Sequence, residues 1–351
     1  MRLPIDAPVA PMLARLIDEV PDPDAVPGGY VYEPKWDGFR CVILRDGDQV
    51  ELASRMNKSL TTYFPEVVEH LRQALPQRCV VDAEIIVPTG PIGSQHLDWE
   101  ALCERVHPSL RRVSRLASQT PAHVVAFDLL ALGERDLTQE PLHVRRSMLQ
   151  DLLQGVSPLL GVHVTTQTRS AEQARTWFNS FEGHGLDGIM VKEREGSYEF
   201  GRRSWLKVKH ARTAEAVVVG WRRNPRFRGV GKLLLGMYGA GEDESLHYVG
   251  TIESLSEVQR IHFAEDLAGL EVPHDEAQVP IGLYAPTGIA GQSTIYLRPE
   301  RVVEVEFDQL EGRQFRHPAK FHRWRPDREA HTCRLDQLGV GSSYDLASVL
   351  D

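Results

Sequence analysis

Three groups of charged side chains stand at spacings that could do chemistry. Lys35, Asp37 and Arg40 fall within Tyr32-Glu33-Pro34-Lys35-Trp36-Asp37-Gly38-Phe39-Arg40. Asp82 and Glu84 alternate in the apolar run Cys79 to Val87, and Lys207 and Lys209 alternate in Ser204 to Lys209. A positioned lysine amine is a covalent nucleophile that can attack phosphorus. An unperturbed lysine has a pKa of about 10.4, so only about one side chain in 2,500 is neutral at pH 7. A cation beside it, such as Arg40, would disfavour the ammonium form and also hold a phosphate. The plain alternatives are a surface lysine in a turn, a structural ion pair at the buried acids, and an edge strand guarded by lysines.

Positioning falls to the elements around these groups. β-prone runs flank Lys35, which predicts a tight hairpin loop with Pro34 fixing the approach and Gly38 the turn. Val50 to Arg55, Cys79 to Val87, His123 to Leu130, Gly188 to Lys192 and Ser204 to Lys209 read as strands. Alternation puts Asp82 with Glu84, and Lys207 with Lys209, on one face each. Helical spacing marks Phe64 to Leu75, Asp98 to Val106, Leu142 to Leu153 and Ala171 to Glu182. Irregular mixing of the two predicts an α+β fold. After His210 the texture changes to five short strands, Ala216 to Trp221, Gly231 to Tyr238, His247 to Ile252, Ile295 to Leu297 and Val302 to Phe307. One helix, Ser256 to Leu267 with Ser256 as cap, interrupts them, which fits a small Greek-key β-barrel of the oligonucleotide-binding (OB-fold) kind. The expected organisation is an N-terminal arm (1–28), an α+β domain (29–210), the barrel domain (211–328) and a C-terminal tail (329–351).

Composition narrows the class. The 351 residues suit two domains, and 42% hydrophobic content is ordinary for a folded soluble protein. No apolar run would span a bilayer, and the start lacks a signal-peptide core, so a cytoplasmic protein is expected. The four cysteines form no Cys-x-x-Cys pair, which argues against zinc. The net charge of −9 hides two basic clusters, Arg202 to Lys232 and Arg313 to Arg328, that suggest a phosphate-rich partner. Gly183 to Gly188 matches Gly-x-Gly-x-x-Gly but lies between a helix and a strand, the reverse of dinucleotide-binding context.

The stretch around Lys35 resembles the Lys-x-Asp-Gly-x-Arg signature of covalent nucleotidyltransferases, and further stations of that family follow in order. Ser54-Arg55 resembles its second motif, although Met56 and Asn57 replace the usual Asn-Gly. Asp82-x-Glu84 resembles Asp-Gly-Glu. Phe127 matches the aromatic that stacks on adenine. Asp187-Gly188 and Lys192 resemble the fourth motif, with Asp187 one methylene shorter than the usual Glu. Arg203 and Trp205-x-Lys207-x-Lys209 resemble the fifth. Phe315 to Arg328 resembles the last motif of ATP-dependent DNA ligases, with Arg328 in place of its final Lys. The compact build and Pro11 to Ala14 resemble the small bacterial LigC type, related to the ligase part of the end-joining enzyme LigD.

This resemblance implies a nucleotidyltransferase (adenylation) domain followed by an OB-fold domain, and an enzyme that seals nicks and breaks in duplex DNA. It implies Lys35 as the nucleophile, with Asp37 and Arg40 catalytic beside it. It implies ATP contacts from Glu33, Lys35, Arg40, Arg55, Glu84, Phe127, Arg203, Lys207, Lys209, Arg323, Arg325, Asp327 and Arg328. Glu84 and Asp187 would hold Mg²⁺, or Mn²⁺ in its place. A hinge near Lys209 to Thr213 would let the barrel close and reopen. The implied partner is nicked double-stranded DNA bound by a monomer, with Ku or a primase-polymerase as end-joining associates. RNA ligation or mRNA capping, and a non-catalytic nucleic-acid-binding module, are the competing functions.

Overall fold

The structure, a computed structural model, describes the chain except residues 6, 92–94, 181–185, 210–211, 242, 284–293, 339–345 and 350–351. It divides into two compact units, Met1–His210 with Val340–Asp351, and Ala211–Gly339.

Unit 1 contains strands β1 (Ala14–Leu16), β2 (Tyr30–Trp36), β3 (Phe39–Asp46), β4 (Gln49–Ser54), β5 (Arg78–Ile86), β6 (Pro88–Thr89), β7 (His96–Leu97), β8 (His123–Leu132), β9 (Arg135–Asp136), β10 (Val162–Val164), β11 (Leu186–Glu193) and β12 (Trp205–Val208). Its helices are α1 (Pro65–Ala74), α2 (Trp99–Glu104), α3 (Leu110–Gln119), α4 (Leu142–Leu153) and α5 (Ala171–Ser180). Two sheets carry the unit, a smaller one in the order β1-β12-β11-β2 and a larger one in the order β10-β8-β5-β3-β4.

Period-two alternation explains the layers. On β5, Cys79, Val81, Ala83 and Ile85 enter the core that holds Val67 and Leu71 of α1, so Val80, Asp82 and Glu84 project from the other face. On the smaller sheet, Tyr30, Tyr32, Trp36, Ile189, Val191, Leu206 and Val208 pack with Ala171 and Ala174 of α5. Their neighbours Glu33, Lys35, Met190, Lys192, Trp205 and Lys207 are left on the opposite face. The two free faces meet across Val42, Leu44, Val80, Phe127, Leu130 and Trp205, all buried.

Two expectations change here. The stretch around Lys35 is not a hairpin, because β2 pairs with β11 in the smaller sheet while β3 pairs with β4 and β5 in the larger. Asp37 and Gly38 therefore carry the chain from one sheet to the other. Residues 1–28 are not a free arm either. β1 pairs in parallel with β12, and Ile5, Val9 and Met12 are buried between the sheets. Helix α3 was not anticipated; its long polar face buries only Val113 and Leu116.

Unit 2 contains β13 (Arg212–Arg222), β14 (Lys232–Tyr238), β15 (Leu246–Ile252), β16 (Glu271–Val272), β17 (Thr294–Leu297), β18 (Val302–Phe307), β19 (Leu310–Glu311), β20 (Gln314–Phe315) and β21 (Lys320–Trp324), with α6 (Glu257–Leu267). The long β13 pairs with β14 on one edge and with β18 and then β17 on the other, and β21 adds to β18. Among the described residues the ring is not a closed barrel: β15 meets the approach to β21 through an isolated bridge, Ile252 to Ala319. The cap expected at α6 is present, with Ser256 Oγ accepting from Gln259 N–H and Gln259 Oε1 accepting from Ser256 N–H. β21 carries no period-two signal because its register shifts opposite Glu304 and Val305; Phe321 and Trp324, three residues apart, pack on Phe263 while Lys320, His322 and Arg323 are exposed.

Candidate active site

Lys35 is the next-to-last residue of β2 and points with Glu33 into the space between the two sheets of unit 1. The ring of Trp36, on the other face, is fixed by its Nε1–H donating to Thr165 Oγ1 at 2.8 Å. Gly38 is dictated by a close approach: a Cβ there would lie 2.2 Å from Ile85 O and 2.9 Å from Glu84 Cγ. The same approach lets Gly38 N–H donate to Glu84 Oε1 at 3.2 Å. The crossover thus sets the Lys35 strand against Glu84 of β5.

A cleft in unit 1 is lined by Lys35, Glu33, Arg40, Arg55, Glu84, Phe127, Arg203 and Lys207, together with Lys192 and Trp205. Strands of both sheets and two turns meet there. Asp37 lies in the crossover and its charge reaches Glu84. Lys209, one residue beyond β12, is not among the described lining residues. Asp187 lies on β11, and its side chain is outside those described; so are His210 and Ala211 of the expected hinge and Gly183 to Gly185 of the glycine pattern.

The cleft lining carries more cations than acids. Arg40 Nε and Nη2 donate to the two oxygens of the fully buried Asp82 at 2.6 and 2.5 Å, and Nη2 also donates to Met12 O at 3.1 Å. Tyr198 Oη donates to the same carboxylate at 2.5 Å and accepts from Met12 N–H. Burial, reinforced by Asp82, holds that phenol well above its ordinary pKa, so it remains a donor. Arg40 is therefore anchored at the floor of the cleft. Lys192 (1% exposed) forms a second buried pair with Glu33 (2% exposed) at 2.6 Å, and Gln167 Nε2 donates to Glu33 at 3.0 Å. Both cations flank one aromatic pair: Arg40 lies 4.9 Å from the Phe127 ring and 5.0 Å from that of Trp205, and Lys192 lies 4.7 and 4.3 Å from them. Glu84 is half-buried. Burial pushes its carboxyl up to about 7 against the opposing pull of Arg40 and Lys35.

The charged residues of the final motif lie in unit 2, where they form a network of their own. Arg323 Nε donates to Glu304 at 2.7 Å, and Arg328 Nε to Glu215 at 2.7 Å. Arg325 is bound to Glu215, to Glu304 at 3.4 Å and to Asp327 at 2.8 Å. Lys320 pairs with Glu306. The second basic cluster is thus largely matched by acids of β13 and β18.

Residues 11–209 match the family model for the ATP dependent DNA ligase domain, and 226–328 that for the ATP dependent DNA ligase C terminal region. The chain belongs to the ATP-dependent DNA ligases. It is similar to DNA ligase C1 of Mycolicibacterium smegmatis, 42% identical over 100% of this chain and 99% of that protein. It is 43% identical to DNA ligase C of Mycobacterium tuberculosis over the same shares of the two proteins. It therefore groups with the small LigC type, and more distantly with the end-joining protein LigD of Mycobacterium bovis, at 30% identity over 81% of this chain and 35% of that protein. A solved Lig E DNA ligase, 18% identical, shares the fold with a TM-score of 0.54 over 90% of this chain and 99% of that one. The two units of this ligase are accordingly the adenylation and OB-fold domains.

Several cleft residues were not singled out from the ligase sequence. Alternation puts Asp82 on one face with Glu84, as expected, and the same period from Met190 places Lys192 beside it on the smaller sheet's inner face. Trp205 was legible in the same way. Tyr198 and Gln167, which bond to Asp82 and Glu33, carry no local signal because they lie in irregular segments.

Proposed function

We propose that this ligase adenylates itself on Lys35 and passes the AMP to a nick in double-stranded DNA. The observation that carries the reading is the shared cleft: Lys35 opens onto the same space as Glu84, Arg55, Arg203 and Lys207, drawn from both sheets. The neutral amine of Lys35 attacks the α-phosphorus of ATP, a P–N bond forms, the bond to the β-phosphate oxygen breaks, and pyrophosphate leaves. The amine proton goes to solvent or a cleft carboxylate. The AMP then moves to the 5′-phosphate of the nick, and the 3′-hydroxyl displaces it.

Arg55, Arg203 and Lys207 are the groups suited to the phosphates. Arg40, tied to Asp82, acts as a fixed positive floor. Glu33 faces the base, with Phe127 beneath it, while Asp37 orients the crossover and Lys209 remains a second phosphate contact. Arg323, Arg325, Asp327 and Arg328 of the OB-fold domain would exchange internal partners for the leaving pyrophosphate.

Glu84, the donor whose side chain is described, suits a divalent cation. Glu84 is a desolvated carboxylate whose pKa is raised by burial, and a cation would restore its charged form. Glu84 and Asp187 would hold Mg²⁺ or Mn²⁺, which would neutralise phosphate charge when bound. We place the ligase in the cytoplasm, acting as a monomer on nicked DNA. Its kinship with LigD supports a role in end joining beside Ku or a primase-polymerase.

The test is incubation with α-labelled ATP and Mg²⁺. Wild-type protein takes label; Lys35→Ala and Lys35→Arg do not, the latter because a guanidinium stays protonated. Label on either variant would show that another nucleophile is used. GTP in place of ATP, and matched RNA nicks, should give far less product.

A further inference from the structure

Both stretches that match the ligase family end by residue 328, yet the chain continues and returns to unit 1. Leu346–Val349 form a short 3-10 turn. Leu346 and Val349, each 1% exposed, enter the core that holds Tyr30, Tyr32 and Trp36. Leu346 N–H donates to Gln95 O and Thr166 N–H donates to Val349 O, both at 3.2 Å.

Thr166 lies in residues 165–168, just past β10, and this segment runs beside the strand that carries Lys35. Thr168 and Tyr32 exchange two backbone hydrogen bonds of 2.8 and 3.0 Å. Thr165 Oγ1 accepts from Trp36 Nε1–H at 2.8 Å, and Gln167 Nε2 donates to Glu33 Oε1 at 3.0 Å. Residues 32, 33 and 36 are therefore all tied to one segment, and Val349 bonds that segment at Thr166. Without Leu346–Val349, the Thr166 N–H would lose its acceptor, and the core behind β2 would lose two apolar side chains.

We propose that Leu346–Val349 is a positioning element of the adenylation site, a C-terminal anchor that braces residues 165–168 against β2 and so sets Glu33 and Lys35 in place. The proposal rests on the reading of Lys35 as nucleophile. Covalent catalysis is sensitive to displacements of about 1 Å at the reacting group, which makes a brace behind the nucleophile's strand matter for rate.

The experiment compares the full chain with a variant stopped after Asp345 and with the double variant Leu346→Ala/Val349→Ala. Each is measured for single-turnover labelling by α-labelled ATP, for sealing of a nick that already carries AMP, and for melting temperature. Sealing of such a nick does not use the Lys35 amine. Labelling is expected to fall about tenfold, the equivalent of roughly one net hydrogen bond, while sealing of the adenylated nick changes little. A synthetic peptide of residues 340–351 should restore labelling to the shortened variant. Unchanged labelling in both variants overturns the proposal, as does a parallel loss of both reactions with a lowered melting temperature and no rescue by peptide. Persistent label on Lys35→Ala would instead refute the nucleophile assignment, whatever the anchor variants show.

Discussion

Replacing Asp82 by Asn tests how the cleft holds its charge. Asp82 is fully buried and receives Arg40 Nε, Arg40 Nη2 and Tyr198 Oη at 2.6, 2.5 and 2.5 Å. The substitution keeps the shape and removes the charge. Arg40 cannot shed its proton, and with a side chain only 16% exposed it gains little water in exchange. Removing one partner of a buried ion pair costs about 3–5 kcal/mol. Arg40 keeps its bond to Met12 O and its place over Phe127 and Trp205, so the lower end applies, about 3 kcal/mol. For a unit of about 200 residues that lowers the melting temperature by about 6–12 °C. Thermal and urea unfolding of Asp82→Asn, Arg40→Met and the double variant measure it. The double variant should be less destabilised than the sum of the two, because removing both charges leaves none stranded. A melting shift under about 2 °C for Asp82→Asn, or simple additivity, would refute the account of a paired cation at the cleft floor.

Two other sites give separate expectations. His123 Nδ1 and His163 Nε2 lie 3.0 Å apart in stacked rings, and burial, reinforced by His123, pushes His163 down to about 4. The unfolded chain protonates this group near pH 6.5 and the folded chain does not, so its stabilisation is complete above that pH and is lost as pH falls toward 4. The loss should reach about 2 kcal/mol at pH 5. Urea midpoints at pH 7.5 and pH 5 should converge in His163→Phe relative to wild type, and an identical acid loss in both would contradict this. On the turn between β13 and β14, Arg226 and Arg228 are exposed beside Phe227, whose ring rests 4.0 Å from the Arg260 guanidinium. Arg226→Ala/Arg228→Ala should weaken nicked-DNA binding and reduce its log–log salt slope by about 0.9 for each phosphate that is no longer neutralised, leaving Lys35 labelling intact. An unchanged slope would mean that this turn does not meet the DNA backbone.

The residues of the cleft were legible because their types and order are local properties. Lys35 with Asp37, Glu84 in its apolar strand and Lys207 two residues after Trp205 are each set within a few positions of chain. Alternation alone assigned their faces, since a strand has no other way to arrange successive side chains. The bounds of most elements followed for the same reason. What the linear order could not show was pairing. A short turn between two β-prone runs reads as a hairpin, yet β2 and β3 part into different sheets because each finds a better apolar partner elsewhere, α5 for one and α1 for the other. Arg40 reads as a free cation until Asp82, on a neighbouring strand, accepts from its Nε and Nη2. The basic run from Lys320 to Arg328 reads as an open positive face until Glu215, Glu304 and Glu306 are brought against it.

The amino-acid sequence by itself determined which reactive side chains share a strand face, because that is a matter of residue type and strand alternation. The tertiary structure alone decided how these charges are paired and what holds the Lys35 strand, since Asp82 reaches Arg40 from 42 positions away and Gln167 reaches Glu33 from 134. Desolvation and hydrogen bonding depend on proximity in space, and distance along the chain carries no record of it.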